Sequence, residues 1–147
     1  MSKLFAKILT SILLTNLLLF LLTIILHEFG HYLVGKFHNC KDLKIVFWDE
    51  NLGTYTEMKC LNYKKGLFEL SGFLLTIPFS LIFLFLEEKH YFYLINGLNL
   101  TFSFSDLYFL NLSYLTLAIG FALIIFSEIK TVNFIFNSLS LNKLIST

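Results

Sequence analysis

Residues 8–34 read ILTSILLTNLLLFLLTIILHEFGHYLV, an apolar run that ends in paired histidines, His27 and His31. A helix over this range measures about 40 Å, which is enough to cross a bilayer with some tilt. On that helix Asn16, Thr23 and the two histidines fall on one face. Because polar and ionisable side chains are costly in lipid, we expect this face to point at protein or water.

The His-Glu-x-x-His pattern within this run predicts a metal site. Histidines four positions apart on a helix project from one face, so His27 and His31 can bind the same ion. Zinc accepts neutral imidazole nitrogens, and a catalytic zinc needs a third protein ligand and an open position for water. Glu28 is then the natural general base. The alternative is a helix whose histidines only hydrogen-bond to their neighbours.

The composition is that of a membrane protein. The chain is 56% hydrophobic and 14% charged, which predicts a mainly α, polytopic membrane protein with one domain over residues 1–147. A net charge of +1 without any arginine argues against a nucleic-acid partner. Lys3 and Lys7 precede the first apolar run as in a signal peptide. That run is too long for one and ends in the histidine motif, so we expect it to be a span.

Three further apolar segments follow the first. We expect three to four transmembrane helices, at about residues 8–34, 66–86, 90–109 and 112–129. Gly72 would let a neighbouring helix come close, and Pro78 would kink the second span. The alternating sequence at 101–106 predicts a local extended break, which a membrane tolerates only where the break lines a cavity.

A β-hairpin is predicted between the first two spans, at residues 43–59. Two stretches rich in β-branched and aromatic residues flank turn-forming sequence at 49–53. Trp48 and Tyr55 are typical of a membrane surface, where we expect the hairpin to lie. Its exposed edge could hold an extended substrate segment by strand addition, or the hairpin could simply cover the helix ends.

Cys40 and Cys60 flank the hairpin almost symmetrically, so a disulfide between them is geometrically conceivable. The compartment decides whether it forms. Six lysines in residues 36–65 favour a cytoplasmic hairpin by the positive-inside rule, although Lys3 and Lys7 pull the other way. We therefore expect reduced thiols and an active site in the cytoplasmic leaflet.

A third metal ligand must come from elsewhere in the chain. His38 lacks the spacing of the extended metzincin pattern, and Glu50 lies in the hairpin turn. Glu69 is one turn into the second span and remains an alternative, either as a ligand or as a support for one. We prefer Asp106, an acid late in the third span. If the first and third spans run in the same direction, Asp106 reaches the leaflet of the motif histidines.

Two asparagines precede the preferred ligand. Asn96, Asn99, Ser103 and Asp106 would form one polar stripe on a helical third span. Asn96 or Asn99 could bind the substrate backbone or donate a hydrogen bond to a developing oxyanion. Equally, both asparagines could serve only as hydrogen-bonding groups between helices.

With the histidine motif in one span and Asp106 in a later one, the chain resembles the site-2 protease family of intramembrane zinc metalloproteases. The resemblance implies one Zn²⁺ ion per chain, held by His27, His31 and Asp106. It also implies that Glu28 activates water for hydrolysis of peptide bonds in membrane-embedded protein substrates. On this reading the protein is a multi-pass protein of the cell membrane.

The resemblance extends over most of the chain. A hairpin after the motif helix, a glycine in the next span and an asparagine ahead of the aspartate are family features, matched here by residues 43–59, Gly72 and Asn99. Phe73 stands where the family usually has proline, and Asn99 precedes Asp106 by seven positions rather than eight. These departures mark a divergent, minimal member. The alternatives are a noncatalytic membrane binding module and a metal-handling subunit that keep the fold.

Overall fold

The computed structural model describes residues 2–50, 53–60, 65–86 and 89–145. Within those residues the fold is mainly helical, with one small antiparallel sheet between the first two helices, as predicted. In chain order the elements are α1 (Ser2–Phe37), β1 (Lys41–Val46), β2 (Tyr55–Lys59), α2 (Lys65–Ile82), α3 (His90–Phe102), a 3-10 helix (Asp106–Leu110) and α4 (Ser113–Ile145).

Two of the described helices are long and apolar enough to cross a membrane. The apolar segments are Phe5–Phe37 in α1 and Ser113–Asn137 in α4, and α2 carries a shorter one at Gly66–Ile82. The predicted three to four spans are therefore matched by two helices that meet the length requirement. The second predicted span, 66–86, ends early because α2 stops at Ile82 and the chain turns.

The third predicted span breaks near the expected place, but the break is compact rather than extended. Helix α3 ends at Phe102, and the Ser103 hydroxyl and backbone N–H both donate to the Asn99 carbonyl oxygen. The Leu107 N–H in turn donates to the Ser103 carbonyl oxygen, which leads into the 3-10 helix. The Phe/Ser alternation that predicted an extended break therefore lies within a compact turn. This turn places Asp106 beside α1.

Small polar residues fill much of the interior, while large apolar residues cover the outside. Thr23, Ser80 and Ser127 have no exposed surface, and the Thr23 and Ser80 hydroxyls donate to carbonyl oxygens of their own helices. Leu14 and Leu18 on α1 are more than 60% exposed. This distribution reverses the one found in water-soluble proteins.

Glycines allow close approach at the helix crossings. A side chain on Gly30 of α1 would collide with the Ser71 and Gly72 backbone of α2, so the sequence expectation of a close contact at Gly72 is confirmed. A Cβ atom on Gly97 of α3 would lie 2.8 Å from the Gly120 carbonyl oxygen of α4. These two crossings bring the backbones of α1 and α2, and of α3 and α4, into close contact.

The hairpin is held at both ends. At the tip Asp49 and Gly53 exchange backbone hydrogen bonds of 2.9 and 3.0 Å, and Gly53 has a φ of +72°, which suits glycine. Residues 51 and 52 of the predicted turn lie outside the described residues. At the base Cys40 and Cys60 form a disulfide, with their Cα atoms 4.5 Å apart. The expectation of reduced thiols is therefore wrong, because the paired strands bring the two residues together.

Exposed ion pairs join the two strands. Lys59 Nζ lies 2.8 Å from Asp42 Oδ2, and Lys44 Nζ lies 2.8 Å from Glu57 Oε2. Hydrogen bonding and charge from Lys59 lower the pKa of the Asp42 carboxyl. Both pairs are open to solvent, so they specify the strand register more than they stabilise the hairpin.

Candidate metal centre

Three ligand atoms converge where α1 meets the 3-10 helix. His27 Nε2 and His31 Nε2 lie 3.2 Å apart, and Asp106 Oδ2 lies 2.8 Å from the first and 3.2 Å from the second. In a tetrahedral zinc site the ligand atoms are about 3.3 Å apart, given zinc–nitrogen bonds of 2.0–2.1 Å. The three atoms therefore already have nearly the spacing that zinc requires. Among the described residues this is the one group of His, Cys, Asp and Glu with such geometry.

The His31 ring is oriented by the backbone of α2. Its Nδ1 atom lies 3.0 Å from the Phe68 carbonyl oxygen and 3.2 Å from Ser71 Oγ. Ser71 donates its own proton to the same carbonyl oxygen. Because a carbonyl oxygen only accepts, His31 must carry its proton on Nδ1. The Nε2 lone pair is then available at the converging point.

The His27 ring is oriented by Asn99 of α3. Its Nδ1 atom lies 3.2 Å from Asn99 Oδ1, and Asn99 Nδ2 donates to the Phe73 carbonyl oxygen at 3.1 Å. The second bond identifies the nitrogen end of the amide, so the oxygen end must accept a proton from His27 Nδ1. The His27 Nε2 lone pair is therefore also directed at the converging point.

A small space beside these atoms is kept open by a missing side chain. A Cβ atom on Gly72 would lie 2.7 Å from both His27 Nε2 and His31 Nε2. When both imidazoles are neutral, their lone pairs and the aspartate oxygen repel one another at these separations unless a proton or a metal ion lies between them. The donor set, the fixed tautomers and the space beside Gly72 fit a zinc ion.

Glu28 faces a cavity that also contains the three candidate ligands. Its side chain is 9% exposed, and its carboxylate Oε2 accepts a 2.8 Å hydrogen bond from the Thr56 hydroxyl of β2. The cavity has a volume of about 850 Å³, with walls from α1, the hairpin and the end of α3. Its lining includes Ile24, Trp48 and Phe102. A cavity of this volume is in the range of ligand-binding sites in proteins.

The remaining sequence candidates have different environments. Asn96 turns its amide back along α3, where Nδ2 donates to the Phe92 carbonyl oxygen at 2.8 Å. This hydrogen bond lies within α3 and does not support the predicted substrate-binding role. Asn99 contacts His27, which makes it a support for a ligand. Glu69 on α2 lies outside the three-ligand group.

Sequence reasoning missed Thr56 and the Phe68 carbonyl oxygen. The sequence contains no signal for the position of a backbone oxygen, and the residue type of Thr56 indicates only that it is suited to a strand. No protein-family model matches the chain, and neither the curated proteins nor the solved structures gave a match. The chemistry of the site must therefore be argued from its own geometry.

Proposed function

We propose that this protein is an integral membrane zinc metalloprotease, a divergent relative of the site-2 proteases, which hydrolyses peptide bonds of membrane-embedded substrates. The convergence of His27 Nε2, His31 Nε2 and Asp106 Oδ2, with both histidine tautomers fixed, carries the proposal. Glu28 beside the first histidine supplies the base that hydrolysis needs.

The distribution of polar and apolar residues supports a membrane setting. Helices α1 and α4 have the length and hydropathy of spans, and many of their leucine and isoleucine side chains are exposed. The buried residues are enriched in serine and threonine, and close glycine contacts join the helices, as is typical of packing in lipid. These features support the proposal that the metal centre lies within the bilayer in a multi-pass chain.

The proposed reaction uses few groups. A bound zinc ion would supply a Lewis acid at His27, His31 and Asp106. Glu28 accepts a proton from the attacking water as the water oxygen bonds to the scissile carbonyl carbon. The same carboxyl group then gives that proton to the amide nitrogen as the carbon–nitrogen bond breaks, which leaves a carboxylic acid and an amine. Asn99 keeps the His27 ring in position throughout.

The cavity walls favour an apolar peptide segment as the substrate. Phe20, Leu21 and Ile25 line the cavity and are also exposed on the outside of α1, so a segment in lipid can reach the site along this helix. A helical segment hides its carbonyl groups in its own hydrogen bonds. The reacting part of the substrate must therefore be unwound where it enters the cavity.

Metal content is the first test. Purified wild-type protein and the variants His27→Ala, Asp106→Ala, Glu69→Ala and Ser105→Ala are washed with chelator, reloaded with zinc and analysed. We expect wild type to keep about one zinc ion per chain and the first two variants to lose it. Ser105→Ala is the matched control next to Asp106, and it and Glu69→Ala should keep the metal. Wild-type protein without zinc would overturn the proposal.

Cleavage is tested with the protein co-reconstituted with a single-span reporter peptide that carries a helix-breaking Gly-Pro pair. We expect wild type to cut the reporter and Glu28→Gln to lose cleavage while keeping zinc, since only the base is removed. Wild-type protein that holds zinc but leaves such reporters intact would instead favour a noncatalytic binding module or a metal-handling subunit.

A further inference from the structure

The hairpin contacts the proposed base directly. Thr56 lies in β2, and its hydroxyl oxygen is 2.8 Å from Glu28 Oε2 and 3.0 Å from the Glu28 backbone oxygen. The hydroxyl has one proton, which these two acceptors share. Glu28 is a helix residue and Thr56 is 28 positions away, so only the folded hairpin brings them together.

A glutamate needs such a contact if it is to act as a base. Its side chain has three rotatable bonds, and catalysis requires the carboxylate to be held close to one geometry. The Thr56 hydroxyl binds Oε2, which leaves Oε1 as the oxygen that takes a proton from water. A threonine hydroxyl on a strand is a suitable donor because its χ1 angle is restricted.

The hairpin holds Thr56 firmly in this place. Thr56 pairs with Ile45 in the strand register, and the Cys40–Cys60 disulfide ties the base of the hairpin next to the end of α1. Neighbouring Thr54 uses its hydroxyl within the hairpin, on the Phe47 carbonyl oxygen. Thr56 therefore links the hairpin to Glu28, whereas Thr54 links the hairpin to itself.

We infer that Thr56 is a positioning residue that holds the Glu28 carboxylate for proton transfer. The position of the hairpin against α1 then controls the rate of the chemical step. This inference rests on the proposed function. Phe47, Trp48 and Tyr55 of the hairpin line the same cavity as Glu28. A substrate segment that presses on the hairpin therefore acts on the base through Thr56.

The kinetic test compares Thr56→Val, which keeps the shape and removes the hydroxyl, with Thr56→Ser, which keeps the hydroxyl. Thr131→Val is the matched control, because Thr131 is a buried threonine on α4 whose hydroxyl bonds to the Ser127 carbonyl oxygen. With the reporter peptide we expect Thr56→Val to lower kcat by up to about 100-fold, with little change in KM or zinc content. Thr56→Ser should recover most of the loss, and Thr131→Val should match wild type.

A second measurement keeps the inference separate from the proposed function. The melting temperatures of Glu28→Ala, Thr56→Val and the double variant are compared in detergent, which needs no activity. We expect the double variant to lower the melting temperature by less than the sum of the two single variants, because both single variants break the same contact. Additive shifts, or an unchanged kcat in Thr56→Val when wild type cleaves, would overturn the positioning role. Failure of wild type to cleave would overturn the proposed function instead.

Discussion

In each candidate histidine ligand, the Nδ1 atom carries a proton because it hydrogen-bonds to an oxygen that can only accept. For His31 that oxygen is the Phe68 carbonyl, and for His27 it is the side-chain oxygen of Asn99. The three residues that converge could be predicted from residue identity, because the spacing of the histidines and one aspartate in an apolar region suffice. The role of Asn99 could not, since it depends on which end of its amide the Phe73 carbonyl selects.

Asn99→Ala should weaken zinc binding without removing a ligand. The variant leaves His27 Nδ1 without its acceptor, so the ring no longer keeps its orientation, and we expect a loss of about 10- to 100-fold in zinc affinity. Competition with a chromophoric chelator measures this loss. Asn96→Ala is the matched control on the same helix and should bind zinc as wild type does. Equal affinities for the two variants would contradict the assigned contact.

Gly72→Ala should block the metal centre. The added Cβ atom would lie 2.7 Å from both histidine Nε2 atoms, in the space where zinc would approach them. We expect zinc content to fall to background. The comparison is Gly35→Ala, whose Cβ meets only the flexible ends of Leu43 and Met58 and should leave zinc content intact. Retention of zinc by Gly72→Ala would show that the ion binds elsewhere.

At the level of elements, long apolar runs were easier to predict than their ends. The first run became α1 and the hairpin formed where turn chemistry separates two β-rich stretches, because both signals are local. At the end of α3 the Ser103 hydroxyl donates to the Asn99 carbonyl oxygen and forms a compact turn. The alternating sequence there had predicted a local extended break instead. Reduced cysteines were predicted from the expected compartment. The pairing of β1 with β2 instead brings Cys40 and Cys60 close enough to form the disulfide.

The disulfide should stabilise the hairpin without controlling the metal centre. It closes a loop between residues 20 positions apart, which is worth about 3 kcal/mol in the chain-entropy account. In the double variant Cys40→Ser/Cys60→Ser we expect the β1 and β2 amides to exchange hydrogen up to about 100-fold faster. Zinc content should not change, because the ligands lie on helices. Hydrogen exchange followed by mass spectrometry measures the effect, and reduction of wild type should reproduce it; unchanged exchange would show that strand pairing alone holds the hairpin.

The whole molecule combines helices of very different length. Helix α1 has 36 residues and α4 has 33, but α3 has only 13, which corresponds to about 20 Å. The alternating sequence at 101–106 predicted a break in this region, but it did not show that α3 ends at Phe102 in a compact turn. The 3-10 helix follows α3 in the chain, and Phe102, Ser105 and Asp106 line the cavity.

The short α3 helix has a consequence for the lipid around it. In the proposed membrane setting, a bilayer core of about 30 Å is thicker than α3 is long, so lipid around this part of the protein would have to thin to match it. Such local thinning would bring headgroups and water closer to Asp106. We expect reporter cleavage to be faster in vesicles of short-chain phosphatidylcholine than in long-chain vesicles, where the mismatch is greater. Equal rates would show that bilayer thickness does not control the access of water to the site, and faster rates in short-chain lipid would show that cleavage depends on membrane thickness.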